Sequence, residues 1–371
     1  MAKLNRRGFG KLIAGGALAA AAAPTLAPTS MLDTAQAAGR AYHKARLTGA
    51  DMYTARNWQV AGTDLGIPYV LENGSIGYLF GDTFSTMSPE GGGNHRSPVM
   101  LRSARHPNDG IIFDSAARVY GNAPARELMW NAHGGWVAGQ HEFTVIPNDG
   151  VSFPETGRQV VSFMSMDNWA HPRGFRSGFA GLAYSDNGND FQRVPVHWFN
   201  TPENTNAFQM WTMQRDGDFV YVFSVCSGRQ YGPMMLQRVH WTRILDKNAY
   251  EGWGWNGSNW GWGRPCTPIL QAKFGEPSVR KLRDGTWVMA YVDYGVGLGQ
   301  LVTRTASRPD GLWSDPVVQI SPIMPAQYYG GFIHPWSTSK RNGLHLMVSQ
   351  WKRDWNNVTR AYHVEHWVGS V

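Results

Sequence analysis

Five times along this chain an Asn-Gly or Asp-Gly pair stands between two short apolar runs, and nothing else constrains the fold as strongly. Such pairs tolerate the left-handed backbone that the tightest β-hairpins need. Each recurrence has one layout: a polar residue opens a short apolar strand, the turn follows, and a strongly apolar strand, a loop and a third strand complete the unit. The openers are Asp64, Glu142, Gln209, Glu276 and His334. The turns are Asn73-Gly74, Asp149-Gly150, Asp216-Gly217, Asp284-Gly285 and Asn342-Gly343. The apolar strands after them begin near Tyr78, Val160, Val220, Trp287 and Leu344. Similar spacing in every unit predicts radial repetition, so the expected fold is all-β, a five-bladed β-propeller. A β-sandwich of hairpins is the competing arrangement, and equal spacing disfavours it. Composition agrees: only 16% of residues are charged, 13% are aromatic, and 43 of 371 are glycine, the profile of strands joined by tight turns.

Helical periodicity appears only at the start. Asn5-Arg6-Arg7-Gly8-Phe9 precedes a short Ala- and Gly-rich apolar run, and Ala35-Gln36-Ala37 has the small residues of a cleavage site. These features predict a twin-arginine export signal over residues 1–37 and one propeller domain over residues 38–371. The expected location is outside the cell or in its envelope, without stable membrane insertion. The net charge is +7. Lys3, Arg6, Arg7 and Lys11 against Asp33 place nearly half of it in the signal. The remaining cations form no blocks, which argues against nucleic acid as a partner. Cys226 and Cys266 match no zinc motif, and two separate thiols are expected rather than a disulfide. No clustered His or Cys and no nucleotide-binding glycine loop is present, so no cofactor and no catalytic metal are expected; a structural calcium at the axis stays open. A monomer is expected.

In a propeller the strands that open the units line the central channel, so their leading residues converge at one mouth. Acids at the head of apolar strands are not explained by solubility, and their recurrence at one register marks a site. Asp82 strengthens this. It ends the apolar run Tyr78-Leu79-Phe80-Gly81, where a carboxylate must be paired, hydrogen-bonded or functional. Gly81 leaves room for a close approach. Asp64 and Asp82 belong to neighbouring strands of one unit. Two carboxyl groups flanking one bond are what glycoside hydrolysis needs, one protonated and one ionised. Glu142, Gln209, Glu276, His334, Trp336 and Trp169 are the candidate substrate-binding residues, because flat indoles suit the C–H faces of sugars. Most other tryptophans are expected to pack between blades. The Gly-Trp stretch from Trp253 to Trp262 is too polar for a core.

Gly62-Thr63-Asp64-Leu65-Gly66-Ile67 and Phe80-Gly81-Asp82-Thr83-Phe84 resemble the opening signature of the endo-D-arabinanase family, glycoside hydrolase family 183, first catalogued as a domain of unknown function. Glu142-Phe143-Thr144-Val145, Phe274-Gly275-Glu276-Pro277-Ser278 and Phe332-Ile333-His334-Pro335-Trp336 extend the resemblance over nearly the whole mature chain. It implies a five-bladed propeller that cleaves internal α-D-arabinofuranosyl links of arabinogalactan and lipoarabinomannan, with Asp64 and Asp82 as the catalytic pair. The alternatives are a propeller glycosidase for another furanoside such as L-arabinan, and a carbohydrate-binding propeller without catalysis.

Overall fold

The computed structural model describes residues 40–371 apart from Tyr120 and Pro325. The expected export signal lies outside the described residues. The chain forms an all-β fold of antiparallel sheets. The first sheet contains Leu65–Val70, Ile76–Phe80, Val99–Ser103 and Ser115–Ala116. The second contains Thr144–Phe153, Arg158–Asn168, Arg176–Ser185 and Gln192–Phe199. The third begins with Met210–Asp216, Phe219–Val225 and Tyr231–His240, and adds the Trp-rich hairpin Glu251–Trp255 and Trp260–Trp262. The fourth contains Ser278–Lys281, Trp287–Asp293, Gln300–Ala306 and Val317–Ile320. The fifth contains Tyr328–Ile333, Leu344–Arg353 and Thr359–Gly369, and its outer strand is Tyr42–Arg46 from the other end of the chain.

The leading strand of each sheet lies beside the leading strand of the next, and that of the fifth lies beside that of the first. Sheets therefore pack face against face. Middle strands such as Ile76–Phe80 are buried along their whole length, which explains why they read as unbroken apolar runs rather than as an alternating pattern. The fillers between sheets are large: Trp211, Trp287, Tyr78, Phe163, Phe223 and Phe332 are all fully buried.

Four of the five turn signals mark connections between a leading strand and its partner. Gly74, Gly217 and Gly285 adopt positive φ (82°, 60° and 89°), as does Asn342 (56°). Asp149-Gly150 is the exception. It sits inside the strand Thr144–Phe153, at a bulge between Pro147 and Asp149, and the chain turns instead at Phe153–Gly157. Asp149 has a different task. Its carboxylate is buried and accepts both terminal nitrogens of Arg280, at 2.7 and 2.8 Å, together with Thr212 Oγ1, the Met213 amide and the Gly150 amide. Arg280 also donates to the carbonyls of Pro68, Met213 and Val279. One ion pair thus joins the leading strands of the first four sheets, and Ser278 Oγ accepts the Ile333 amide to bring in the fifth.

Both members are almost completely enclosed, with 4% and 1% of the side chains exposed. Removing one partner of such a pair leaves an uncompensated buried charge and costs about 3–5 kcal/mol. Arg280→Met is expected to lower unfolding stability by that amount in urea titration, and adding Asp149→Asn to it should restore part of the loss.

Candidate active site

Asp64 immediately precedes the leading strand of the first sheet, and its backbone is held in an unusual shape. The next two residues, Leu65 and Gly66, both have positive φ (67° and 71°), and the strand bulges between Leu65 and Ile67. A bulky residue in the left-handed region is strained, and such strain persists only where surrounding bonds enforce it. Here Ser349 Oγ accepts the Leu65 amide at 2.7 Å, and the Gly81 amide donates to the Asp64 carbonyl. Gly81 also makes room for the side chain, since a Cβ there would stand 2.5 Å from Asp64 Oδ1.

The Asp64 carboxyl accepts the Tyr329 hydroxyl on Oδ2 at 2.8 Å, and the Tyr362 hydroxyl lies near enough to favour its charged form. Oδ1 is enclosed and has no hydrogen-bond partner. Burial, reinforced by the neighbouring charge of Asp82, pushes the Asp64 pKa up to about 7, against the opposing hydroxyl bonds. Burial beside Asp64 keeps both tyrosines protonated, as donors.

Asp82 follows the second strand of the same sheet. Its Oδ1 lies 2.8 Å from His95 Nε2 and accepts Thr144 Oγ1 at 3.0 Å, the latter from the second sheet. Burial works against a charge on His95, but the hydrogen bond and the charge of Asp82 outweigh it and raise its pKa. The His95 ring stacks on Phe84 with centroids 4.9 Å apart. Glu276, just ahead of the fourth sheet, completes an acidic cluster; its charge adds to the pressure on Asp64. Arg229 donates twice to Glu276 Oε1, while Oε2 is buried and unpartnered. The Arg229 guanidinium in turn lies 4.7 Å from the Tyr329 ring centroid. The result is one protonatable carboxyl on Asp64, one carboxyl on Asp82 anchored by His95 and Thr144, and one enclosed Glu276 oxygen without a hydrogen-bond partner. This set can deliver a proton and stabilise developing positive charge.

The structure brings Asp64, Asp82 and Glu276 together. Trp169 follows the second strand of the second sheet and packs on Phe175, which lies beneath Arg229, so it belongs to the same mouth. The other candidates are placed differently. Glu142 is fully buried, with both carboxylate oxygens taken by Arg193 and one shared with the Ala132 amide. Gln209 bonds to Ser177 and the Trp198 carbonyl, tying the second sheet to the third. His334 follows the leading strand of the fifth sheet instead of opening it. It bonds Tyr78 and the Trp336 amide at the strand end opposite Tyr329, and Trp336 stacks there on His106. At that far mouth Pro335 lines a recess of about 200 Å³ with Arg280 and Lys281.

Four site residues carried no repeat signal: Tyr329, Tyr362, His95 and Arg229. Tyr329 was within reach, because Tyr328-Tyr329-Gly330-Gly331 opens the fifth leading strand. Cys226 and Cys266 are unpaired. Among the described residues no group of three or more His, Cys, Asp or Glu side chains is placed to hold a metal ion, and no helix is long and apolar enough to cross a membrane.

The raised Asp64 pKa has a stability consequence. The native state retains a proton that the unfolded chain releases near 3.8, so this contribution is present in acid and is lost as pH rises from about 4 to about 7. Asp64→Asn removes the titration. Its melting temperature should exceed that of the wild type at pH 8, and the gap should close toward pH 4 in parallel thermal scans.

Comparison with known proteins bears on these observations. The chain is 55% identical over 312 residues to the Notoamide biosynthesis cluster protein J' of Aspergillus versicolor, covering 83% of this chain and 86% of that protein. It is 52% identical over 332 residues to the Notoamide biosynthesis cluster protein J of Aspergillus sp. (strain MF297-2), covering 88% and 89%. In fold it is similar to a protein of Bacteroides ovatus ATCC 8483 provisionally assigned as a hydrolase, with TM-score 0.58 and 15% identity over 85% of this chain and 87% of that one. It is similar also to an exo-beta-1,3-galactanase of Phanerochaete chrysosporium bound to beta-1,3-galactotriose, with TM-score 0.50 and 10% identity over 88% of this chain and 64% of that one. At these identities the likeness concerns the fold alone. The family is shown by the match of residues 49–366: the chain belongs to the family described as Domain of unknown function (DUF4185).

Proposed function

We propose that this chain is a five-bladed propeller glycoside hydrolase that cleaves internal α-D-arabinofuranosyl links, with Asp64 as proton donor and Asp82 as its charged partner. The observation that carries the reading is the Asp64 carboxyl, enclosed beside Asp82 with its pKa pushed up to about 7. A glycosidic oxygen leaves only when protonated, so one acid must hold its proton at working pH while the other stays charged to face the oxocarbenium-like centre. A protein that merely binds sugar has no use for that division. The resemblance of the segments around Asp64 and Asp82 to endo-D-arabinanases supplies the substrate. Export through the twin-arginine route belongs to the same proposal and rests on Arg6, Arg7 and the Ala35-Gln36-Ala37 site.

In this mechanism Asp64 protonates the leaving oxygen, and Tyr329 and Tyr362 then hold the carboxylate that remains. Asp82, fixed by His95 and Thr144, faces the sugar; water supplies the hydroxyl that ends on the anomeric carbon, and its proton restores the acid pair. Glu276 accepts a sugar hydroxyl on its unpartnered Oε2, which the sugar reaches by displacing the side chains around it, while Arg229 fixes Oε1. A second reading takes its substrate from the relatives, whose names point to the biosynthesis of a small molecule; the same acid pair would then protonate that molecule. Digestion of purified arabinogalactan decides between them, because only the first reading yields arabinose oligosaccharides.

Asp64→Asn and Asp82→Asn should each lower turnover by roughly two to four orders of magnitude, the usual worth of acid–base assistance. Either variant, well folded by melting and retaining more than about a tenth of wild-type turnover, removes that residue from the mechanism.

The pH profile gives an independent check. A general acid must be protonated, so kcat/KM should fall as pH rises through about 7. The Tyr329 hydrogen bond favours the ionised carboxyl, so Tyr329→Phe should move that descending limb to higher pH.

A further inference from the structure

Asp82 touches Thr144, and from the residue before Thr144 a line of rings leads away from the acids. Phe143 is 37% exposed. Its ring lies 4.2 Å, centroid to centroid, from that of His141, edge to face. The His141 ring lies 5.7 Å from that of Trp136, again edge to face. Trp136 is 72% exposed, one of several surface indoles beside Trp130 and Trp355, whereas Trp211 and Trp287 are buried between sheets; what sets Trp136 apart is its place at the outer end of this line of rings.

The hairpin that carries these rings, Gly135–Val137 with Gln140–Glu142, is firmly fixed. Glu142 at its end is fully buried. It is clamped by two bonds from Arg193 and a third from the Ala132 amide, and its carbonyl accepts the Gly134 amide. A bidentate buried pair gives a defined orientation. Glu142 therefore acts as a positioning residue for the hairpin, and its buried charge has a purpose that the acid cluster does not supply.

We propose that Phe143, His141 and Trp136 form a binding track for the sugar units on one side of the bond that is cut, with Trp136 as the outer platform. The ligand class is a neutral glycan chain several units long, because the track is lined with ring faces and edges and extends outward from the acids. An indole face gains by covering the C–H face of a sugar, while the hydroxyls stay in water. The proposal rests on the glycosidase reading above and deepens it: a track of this kind serves a chain, not a terminal sugar or a compact small molecule.

The test compares wild type, Trp136→Ala and, as a control on the outer hairpin of the third sheet, Trp255→Ala. Each is assayed on arabinogalactan and on a single-unit aryl furanoside, and its binding to arabinan oligosaccharides is measured by calorimetry. Trp136→Ala should lose roughly five- to tenfold in kcat/KM on the polymer, the worth of one aromatic contact, through KM with kcat kept. On the single-unit substrate it should match the wild type, and Trp255→Ala should match it on both. Wild-type behaviour of Trp136→Ala on the polymer overturns the track and leaves the hydrolase reading intact. Oligosaccharide binding that weakens in Trp136→Ala without any hydrolysis by the wild type does the reverse. Neither binding nor hydrolysis by the wild type overturns both.

Discussion

The ion pair between Asp149 and Arg280 holds the leading strands of four sheets at one point, and the geometry of both mouths depends on it. Leading strands carry few bonds to one another, since each pairs with its own sheet. Without a shared anchor their heads would be set only by side-chain packing. The acids of the site sit on those heads: Asp64 on the first sheet and Glu276 on the fourth, with Thr144 of the second reaching Asp82. A charge pair is costly to bury unless every lone pair and proton is satisfied, and here five donors converge on the Asp149 carboxylate and Arg280 finds three carbonyls besides.

The site shows the same logic at a different degree of satisfaction. Asp82 is bonded by two donors on one oxygen, while Asp64 and Glu276 each leave one enclosed oxygen without a partner. In a core such orphaned atoms would be a defect. Here they stand in the acidic cluster beside Asp82, where burial and like charge hold the Asp64 proton. The strained Leu65-Gly66 backbone and the missing side chain at Gly81 belong to the same economy, because both serve to place one carboxyl where it is poorly solvated and close to another.

Much of this was legible in the sequence. Tight turns declare themselves through Asn-Gly and Asp-Gly, and a carboxylate in an apolar run stands out, so the strand units and the pair Asp64 and Asp82 could be read directly. Two misreadings have physical causes. Asp149-Gly150 has the letters of a turn, but its aspartate pairs with Arg280 more than a hundred residues away, and a local pattern contains no trace of that partner. His334-Pro335-Trp336 copies the polar-then-apolar look of an opener, yet the fifth leading strand begins at Tyr328, where paired glycines disguise it. His95, Arg229 and Tyr362 lie on loops or third strands, and only tertiary packing brings them to the acids.

The strand Tyr42–Arg46 completes the fifth sheet by pairing with Thr359–Gly369. The first described strand and the last are therefore partners in one hydrogen-bonded ladder. A ribosome has to release Thr359–Gly369 before that ladder can form, so the fifth sheet is completed after the other four have been synthesised. Closure joins contacts of near-maximal sequence separation, which slows folding and leaves two strand edges open in the interval. The ends of the chain are also a poor place for truncation or fusion within the ladder, since loss of either strand uncovers the other.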